Sequence, residues 1–151
     1  MKDKAICAWA AGLFEGEGCV YVECRRDPKS GSKSYSIKAV VVNTDITLLD
    51  PLKERWSGGI SPHYRHPHRT VFHWRSQGVK AAAFFSSILP FVRGMKRREI
   101  ELAIAFSAKY SALGLESRSK RKSPDEKADQ EMAYRQLQAW KRPNTATTGS
   151  A

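Results

Sequence analysis

The chain has 151 residues, 41% of them hydrophobic, with 26 Lys and Arg against 15 Asp and Glu and a formal net charge of +11. That length suits one core, and no apolar run approaches the roughly 18–20 residues of a membrane span. Glu15 and Glu17 break the apolar N-terminal stretch, which argues against a signal peptide, and three cysteines without C-x-x-C spacing point to a reducing, intracellular compartment. So large a positive excess on one domain points to a nucleic-acid partner.

Lys4 to Glu15 reads as a helix, with Asp3 as a plausible N-cap. Its apolar residues run all the way round, which predicts burial on all sides. Gly16 and Gly18 stop it. Cys19 to Arg26 then alternates as a strand: Val20, Val22 and Cys24 on one face, Cys19, Tyr21, Glu23 and Arg25 on the other. Asp27 to Lys33 is turn chemistry. Ser34 to Asn43 is a second strand, with Tyr35, Ile37, Ala39 and Val41 opposed to Ser34, Ser36 and Lys38. Thr44 or Asp45 caps a helix reaching about Trp56, ended by Gly58-Gly59.

A second hairpin pairs Ile60–His66 with Thr70–Ser76 around a Pro67-His68-Arg69 turn. Phe72 and Trp74 suit the core, and Pro62 argues for an edge strand or a bulge. Gly78 to Ile88 is helical, Pro90 interrupts, and Met95 to Tyr110 resumes as an amphipathic helix. A basic linker over 117–123 leads through Pro124 into a last helix to Trp140. Tyr110 and Trp140 are assigned to the core. The order α-β-β-α-β-β-α plus C-terminal helices predicts an α+β domain whose antiparallel sheet is covered on one face. The divisions are a core over 1–115, a basic linker and helix over 116–142, and a polar, disordered tail over 143–151.

Two features of the first helix break ordinary rules. Ala5, Ala8, Gly12 and Gly16 form a stripe of small residues, which allows two helix backbones to approach closely. Glu15 and Glu17 sit at the C-terminal end, where the helix dipole disfavours anions by about 0.3–1 kcal/mol. Rule-breaking without local gain tends to mark function. Two such helices abutting would bring like charges together, which divalent cations would neutralise.

The run from Ala10 through Gly12, Leu13, Glu15 and Glu17 to Gly18 resembles the signature of the LAGLIDADG homing endonucleases. The order of elements from Lys4 to Tyr110 also fits that family. Both acids are Glu where the signature has Asp, and Ala10 replaces the leading Leu. The resemblance implies a saddle-shaped sheet and a homodimer joined through Ala8, Ala11 and Gly12. Glu17 becomes the catalytic metal ligand, aided by the Gly16 backbone, with Mg²⁺ (or Mn²⁺ in substitution) as cofactor. Glu15 takes a structural, hydrogen-bonding position. Lys96 lies near the scissile phosphate, with Arg97 as the alternative, and Asn43 positions water or merely forms a turn. The implied reaction is hydrolysis of both strands of a long pseudo-palindromic DNA target, leaving short 3′ overhangs. It also admits intron RNA as a partner, and a bacterial, phage-infected or organellar setting. Phosphodiester hydrolysis by metals held on carboxylates needs little help from general-base side chains.

The polar sheet face is the expected reading surface. It comprises Tyr21, Glu23, Arg25, Ser34, Ser36 and Lys38 from the first hairpin and Ser61, His63, Arg65, His73 and Arg75 from the second. Arg matches guanine and Glu accepts from cytosine in the major groove. Lys29, Lys33, Arg97, Lys120 and the rest of the 118–122 run are assigned to phosphates. The His63, His66, His68 and His73 cluster lacks nearby Cys and is read as base or phosphate contact, not as a zinc site. A non-cleaving DNA-binding regulator and an RNA-binding intron maturase on the same fold stand as alternatives.

Overall fold

The computed structural model describes residues 2–64, 66–116 and 123–141. Helix α1 (Lys2–Glu17) runs directly into strand β1 (Gly18–Arg26), followed by β2 (Lys33–Asn43), α2 (Asp50–Trp56), β3 (Gly59–His63), β4 (Val71–Gln77), α3 (Val79–Ile88), α4 (Lys96–Glu116) and α5 (Pro124–Lys141). The strands form one antiparallel sheet in the order β1-β2-β4-β3. This is the α+β architecture expected from the sequence. β3 is an edge strand, one of the two settings, edge or bulge, that Pro62 argued for.

Strand alternation divides the sheet into two faces. Val20, Val22, Ile37, Ala39, Val41 and Trp74 point inward and are buried. α1 meets that face with Cys7, Ala10, Ala11 and Phe14, spaced three or four residues apart as a single helix face requires. Phe84 of α3 lies at the centre of the layer. Its ring packs edge-on against Phe14, Trp56 and Trp74, with centroids 5.5, 5.2 and 4.9 Å away. Trp74 satisfies its indole N–H by donating to the Ser57 carbonyl at 2.9 Å. That carbonyl belongs to a turn in which Ser57 and Gly58 both adopt positive φ. A side chain at Gly58 would meet the Arg75 carbonyl at 2.5 Å, so only glycine fits.

Several boundaries and faces differ from the sequence-based expectation. The second hairpin is shorter, with strands ending at His63 and restarting at Val71. The second expected helix divides into a single 3-10 turn over Ile46–Leu48, capped by the Asp45 carboxylate, and then α2. α1 is not buried all round. Ala5, Ala8, Trp9 and Gly12 form an exposed face, because one helix laid on a sheet can hide only the side that touches it. Ala11, assigned to a dimer contact, is 1% exposed and belongs to the chain's own core. The assigned linker over 117–122, Arg65, Lys120 and the tail lie outside the described residues, as do the side chains of Tyr110 and Trp140.

α5 is docked on the core. Leu137 is buried, Lys109 pairs with Asp129 at 3.0 Å, and the Tyr35 and Tyr134 rings meet at 5.3 Å. Glu131 receives hydrogen bonds from the Tyr35 hydroxyl and from Lys33. These hold its carboxyl down at about 2, the Tyr35 bond contributing most. No helix among the described residues is long and apolar enough to cross a membrane. Phe84→Ala removes the ring shared by four aromatic neighbours, and should cost about 3–5 kcal/mol in a urea unfolding titration.

Candidate nuclease site and nucleic-acid interface

The C-terminal end of α1 gathers the unusual chemistry. A helix terminus leaves carbonyls without intrahelical partners and carries partial negative charge. α1 has no basic residue in its last turn to offset this. The cation comes from α4: Lys96 Nζ donates to the Phe14 carbonyl at 2.9 Å and to the Glu15 carbonyl at 2.7 Å. Glu15 is stabilised from the same segment. Its Oε1 accepts from the backbone N–H of Arg93 at 2.8 Å and of Gly94 at 2.6 Å. The Gly94 bond, then the Arg93 bond, holds the Glu15 carboxyl below its usual range. A Cβ at Gly94 would sit 3.1 Å from Glu15 Oε1, so glycine allows the close approach.

Arg97 is committed nearby. It donates to the Leu89 and Val92 carbonyls at 3.1 Å each and pairs with Glu101 at 3.1 Å. Lys96 and Arg97 both therefore face the chain's own carbonyls, an arrangement no residue spacing announces.

Glu17 is the exception at this helix end. It is exposed and makes no hydrogen bond or ion pair among the described residues. The next residue, Gly18, is fixed by packing: a Cβ there would lie 2.3 Å from Phe14 Cδ2 and 2.5 Å from the Phe14 carbonyl oxygen. Around Gly12 and Gly16 no atom lies within 4 Å of an added Cβ. The closing glycine of the motif is thus explained within one chain, whereas Gly12 and Gly16 are not. No group of three His, Cys, Asp or Glu side chains able to hold a metal occurs among the described residues. Glu17 offers one carboxylate beside open backbone. That suits a hard cation such as Mg²⁺, which takes one or two protein carboxylates and completes its shell with water and phosphate.

Asn43 lies at the same end of the sheet, since β1 begins opposite Val41. Its Oδ1 accepts from the Asp45 N–H at 2.9 Å, the bond of a turn former.

The outer sheet face carries most of the expected reading residues. Register places Lys38 between Tyr21 and Gln77, Glu23 beside Ser36, and Arg25 beside Ser34. On the second hairpin Ser61 pairs with His73 and His63 with Val71. The rings of His63 and His73 stack at 3.9 Å. Arg75 Nη2 lies 2.9 Å from His63 Nε2 and 3.2 Å from His73 Nδ1. Glu23 pairs with Lys38 and with Arg25 at 2.8 Å each, and Lys38, then Arg25, lowers its carboxyl. Gln77 escaped the sequence reading, which ended that strand one residue early. It donates to Ser36 Oγ at 2.7 Å, and continuing the His73, Arg75 alternation would have found it. Lys33 is held by Glu131, while Lys29 is exposed on the β1–β2 turn.

This arrangement of helices and sheet is the LAGLIDADG homing-endonuclease fold. The structure is similar to the homing endonuclease I-CvuI in complex with the I-CreI target, with a TM-score of 0.74 and 15% identity over 97% of this chain and 88% of that one. It is also similar to the homing endonuclease I-TnaI, with a TM-score of 0.62 and 14% identity over 89% and 94% of the two chains. A third likeness is to the LAGLIDADG homing endonuclease I-GzeII in complex with its DNA target, with a TM-score of 0.65 and 13% identity. That match covers 88% of this chain but 43% of the larger protein. By sequence alone the chain matches no family model and no curated protein.

The Glu15 clasp makes stability depend on pH in a stated direction. Its folded-state pKa lies below the ordinary 4.5, so its contribution is fully present above that pH and is lost as pH falls through the folded value. Glu15→Gln keeps an acceptor oxygen but removes the charge. Urea midpoints should separate wild type from Glu15→Gln at neutral pH and converge in acid; equal separation at both would mean the charge contributes nothing.

Proposed function

We propose that this chain is a site-specific endonuclease that cuts double-stranded DNA as a homodimer, with Glu17 as the metal-binding acid of each subunit. The observation that carries the reading is the contrast at the end of α1. Glu15 Oε1 and the Phe14 and Glu15 carbonyls accept hydrogen bonds from the segment leading into α4, while Glu17, on the same unfavourable helix end, is exposed and unpaired among the described residues. A carboxylate left so has its stabilising charge elsewhere, and a divalent cation with DNA phosphate supplies one.

The exposed face of Ala5, Ala8, Trp9 and Gly12 supports pairing of two α1 helices. Gly12 costs about 0.8–1.0 kcal/mol of helix stability relative to Ala and has open space around it, so nothing within one chain requires it. Close approach of a second helix backbone does. A two-fold pair would bring both Glu17 side chains to one locus and lay two outer sheet faces along one duplex. The net charge of +11 and the outer-face Arg25, Lys38 and Arg75 favour that polyanion.

When bound, Mg²⁺ (or Mn²⁺) would lower the pKa of its water and neutralise phosphate oxygens. Glu17 and the Gly16 carbonyl would hold it. Lys96 keeps positive charge at the end of α1 and offsets the field of the terminal carbonyls beside Glu17. Arg25, Lys38, His63, His73 and Arg75 would orient the duplex from the outer face.

The direct test is a library of randomised duplexes incubated with Mg²⁺ and sequenced at the cut ends. Cutting at one extended, nearly palindromic site is expected, with binding but no turnover in Ca²⁺. Glu17→Gln should lower cleavage well over about a hundredfold, more than changes in the groups around a metal ligand cost. It should leave the binding affinity in Ca²⁺ nearly unchanged; loss of binding as well would make Glu17 a structural acid. Gly12→Leu tests the pairing separately. With open space at that position the variant should fold at least as stably as wild type. It should sediment as a monomer where wild type sediments as a dimer.

A further inference from the structure

Across the four strands, among the described residues, one side chain is acidic: Glu23. It stands on the outer face, where a bare carboxylate would repel phosphate. Its oxygens are divided between two cations. Oε1 lies 2.8 Å from Lys38 Nζ, on the neighbouring strand, and Oε2 accepts from Arg25 Nε at 2.8 Å, two residues along β1. Lys38 sits diagonally from Glu23, beside Tyr21, so one short side chain fixes two long cationic ones before any ligand arrives. Nε is the only Arg25 nitrogen that Glu23 engages, which leaves the guanidinium's outer fork free to face a guanine edge.

From this geometry we infer that Glu23 is a specificity-determining residue that acts through Arg25 and Lys38 and not by touching a base. It rests on the duplex-binding reading above. Glu23 holds the two cations in a reading position and withholds their charge from a duplex that offers only phosphate. A matching sequence binds the preset fork without breaking the Glu23 pairs. A non-matching duplex must compete with Glu23 for each cation. This replaces the simpler role of Glu23 as an acceptor for cytosine, since both of its oxygens are already engaged.

The test compares wild type, Glu23→Gln and Glu54→Gln by fluorescence anisotropy on a mixed-sequence duplex in Ca²⁺, across about 50–200 mM salt. Glu54 is an exposed acid on α2, so its variant controls for the change in net charge. Glu23→Gln should bind the mixed-sequence duplex about tenfold more tightly, and its salt slope should steepen by up to about 1.8 per subunit as two cations reach phosphates. Selection from the randomised library should broaden at several positions together. The inference is overturned if Glu54→Gln produces the same tightening, or if Glu23→Gln leaves the mixed-sequence affinity unchanged and loses preference at one base pair only. Absence of duplex binding by wild type would overturn the duplex reading itself.

Discussion

Everything where α1 meets the sheet and the start of α4 depends on how the C-terminus of α1 is neutralised. A helix end is a poor place for carboxylates, and here Glu15 and Glu17 both occupy it. The chain resolves half of the conflict by bringing back a segment about 80 residues later, whose N–H groups clasp Glu15 and whose Lys96 caps the carbonyls. That clasp ties the end of α1 to the start of α4. Glu17 is what remains uncompensated. Its exposure is therefore a property of the fold and not of one loose side chain.

The sheet beneath shows a similar division of labour. One face is closed by aromatic packing around Phe84 and Trp74, which gives the strands a fixed register. The other is organised by short polar contacts: Glu23 with its two cations, Gln77 with Ser36, and Arg75 with the stacked histidines. Salt screens the Glu23 ion pairs, and a polar ligand can replace any of these contacts, whereas neither acts on the aromatic packing of the other face in that way. Such a face can be preset without being rigid.

Much of this was legible from residue order. Alternation placed Tyr21, Arg25, Lys38, His73 and Arg75 on one face because a strand has no other way to present them. Pro62 marked an edge through its missing N–H. Where reading failed, the information was not local. In a helix built of Ala and Gly, periodicity cannot say which side meets the sheet, and Ala11 faced inward where Ala8 did not. The roles of Lys96 and Glu131 are defined by partners 81 and 96 residues away. The pairing of Glu23 with Lys38 depends on strand register, which sequence alternation leaves open by any even number of residues.

The junction between α1 and β1 contains no loop at all: the helix ends at Glu17 and the strand starts at Gly18. Tyr21 is four residues further along, about 13 Å at the usual rise of a strand. A connection without slack behaves as a lever, so tilting the strand turns the carboxylate at its foot. For a duplex seated on the outer face, a poor fit near Tyr21 would be felt as misalignment of Glu17. Recognition and bond cleavage would then be joined mechanically, and a sequence able to bind could still fail to be cut.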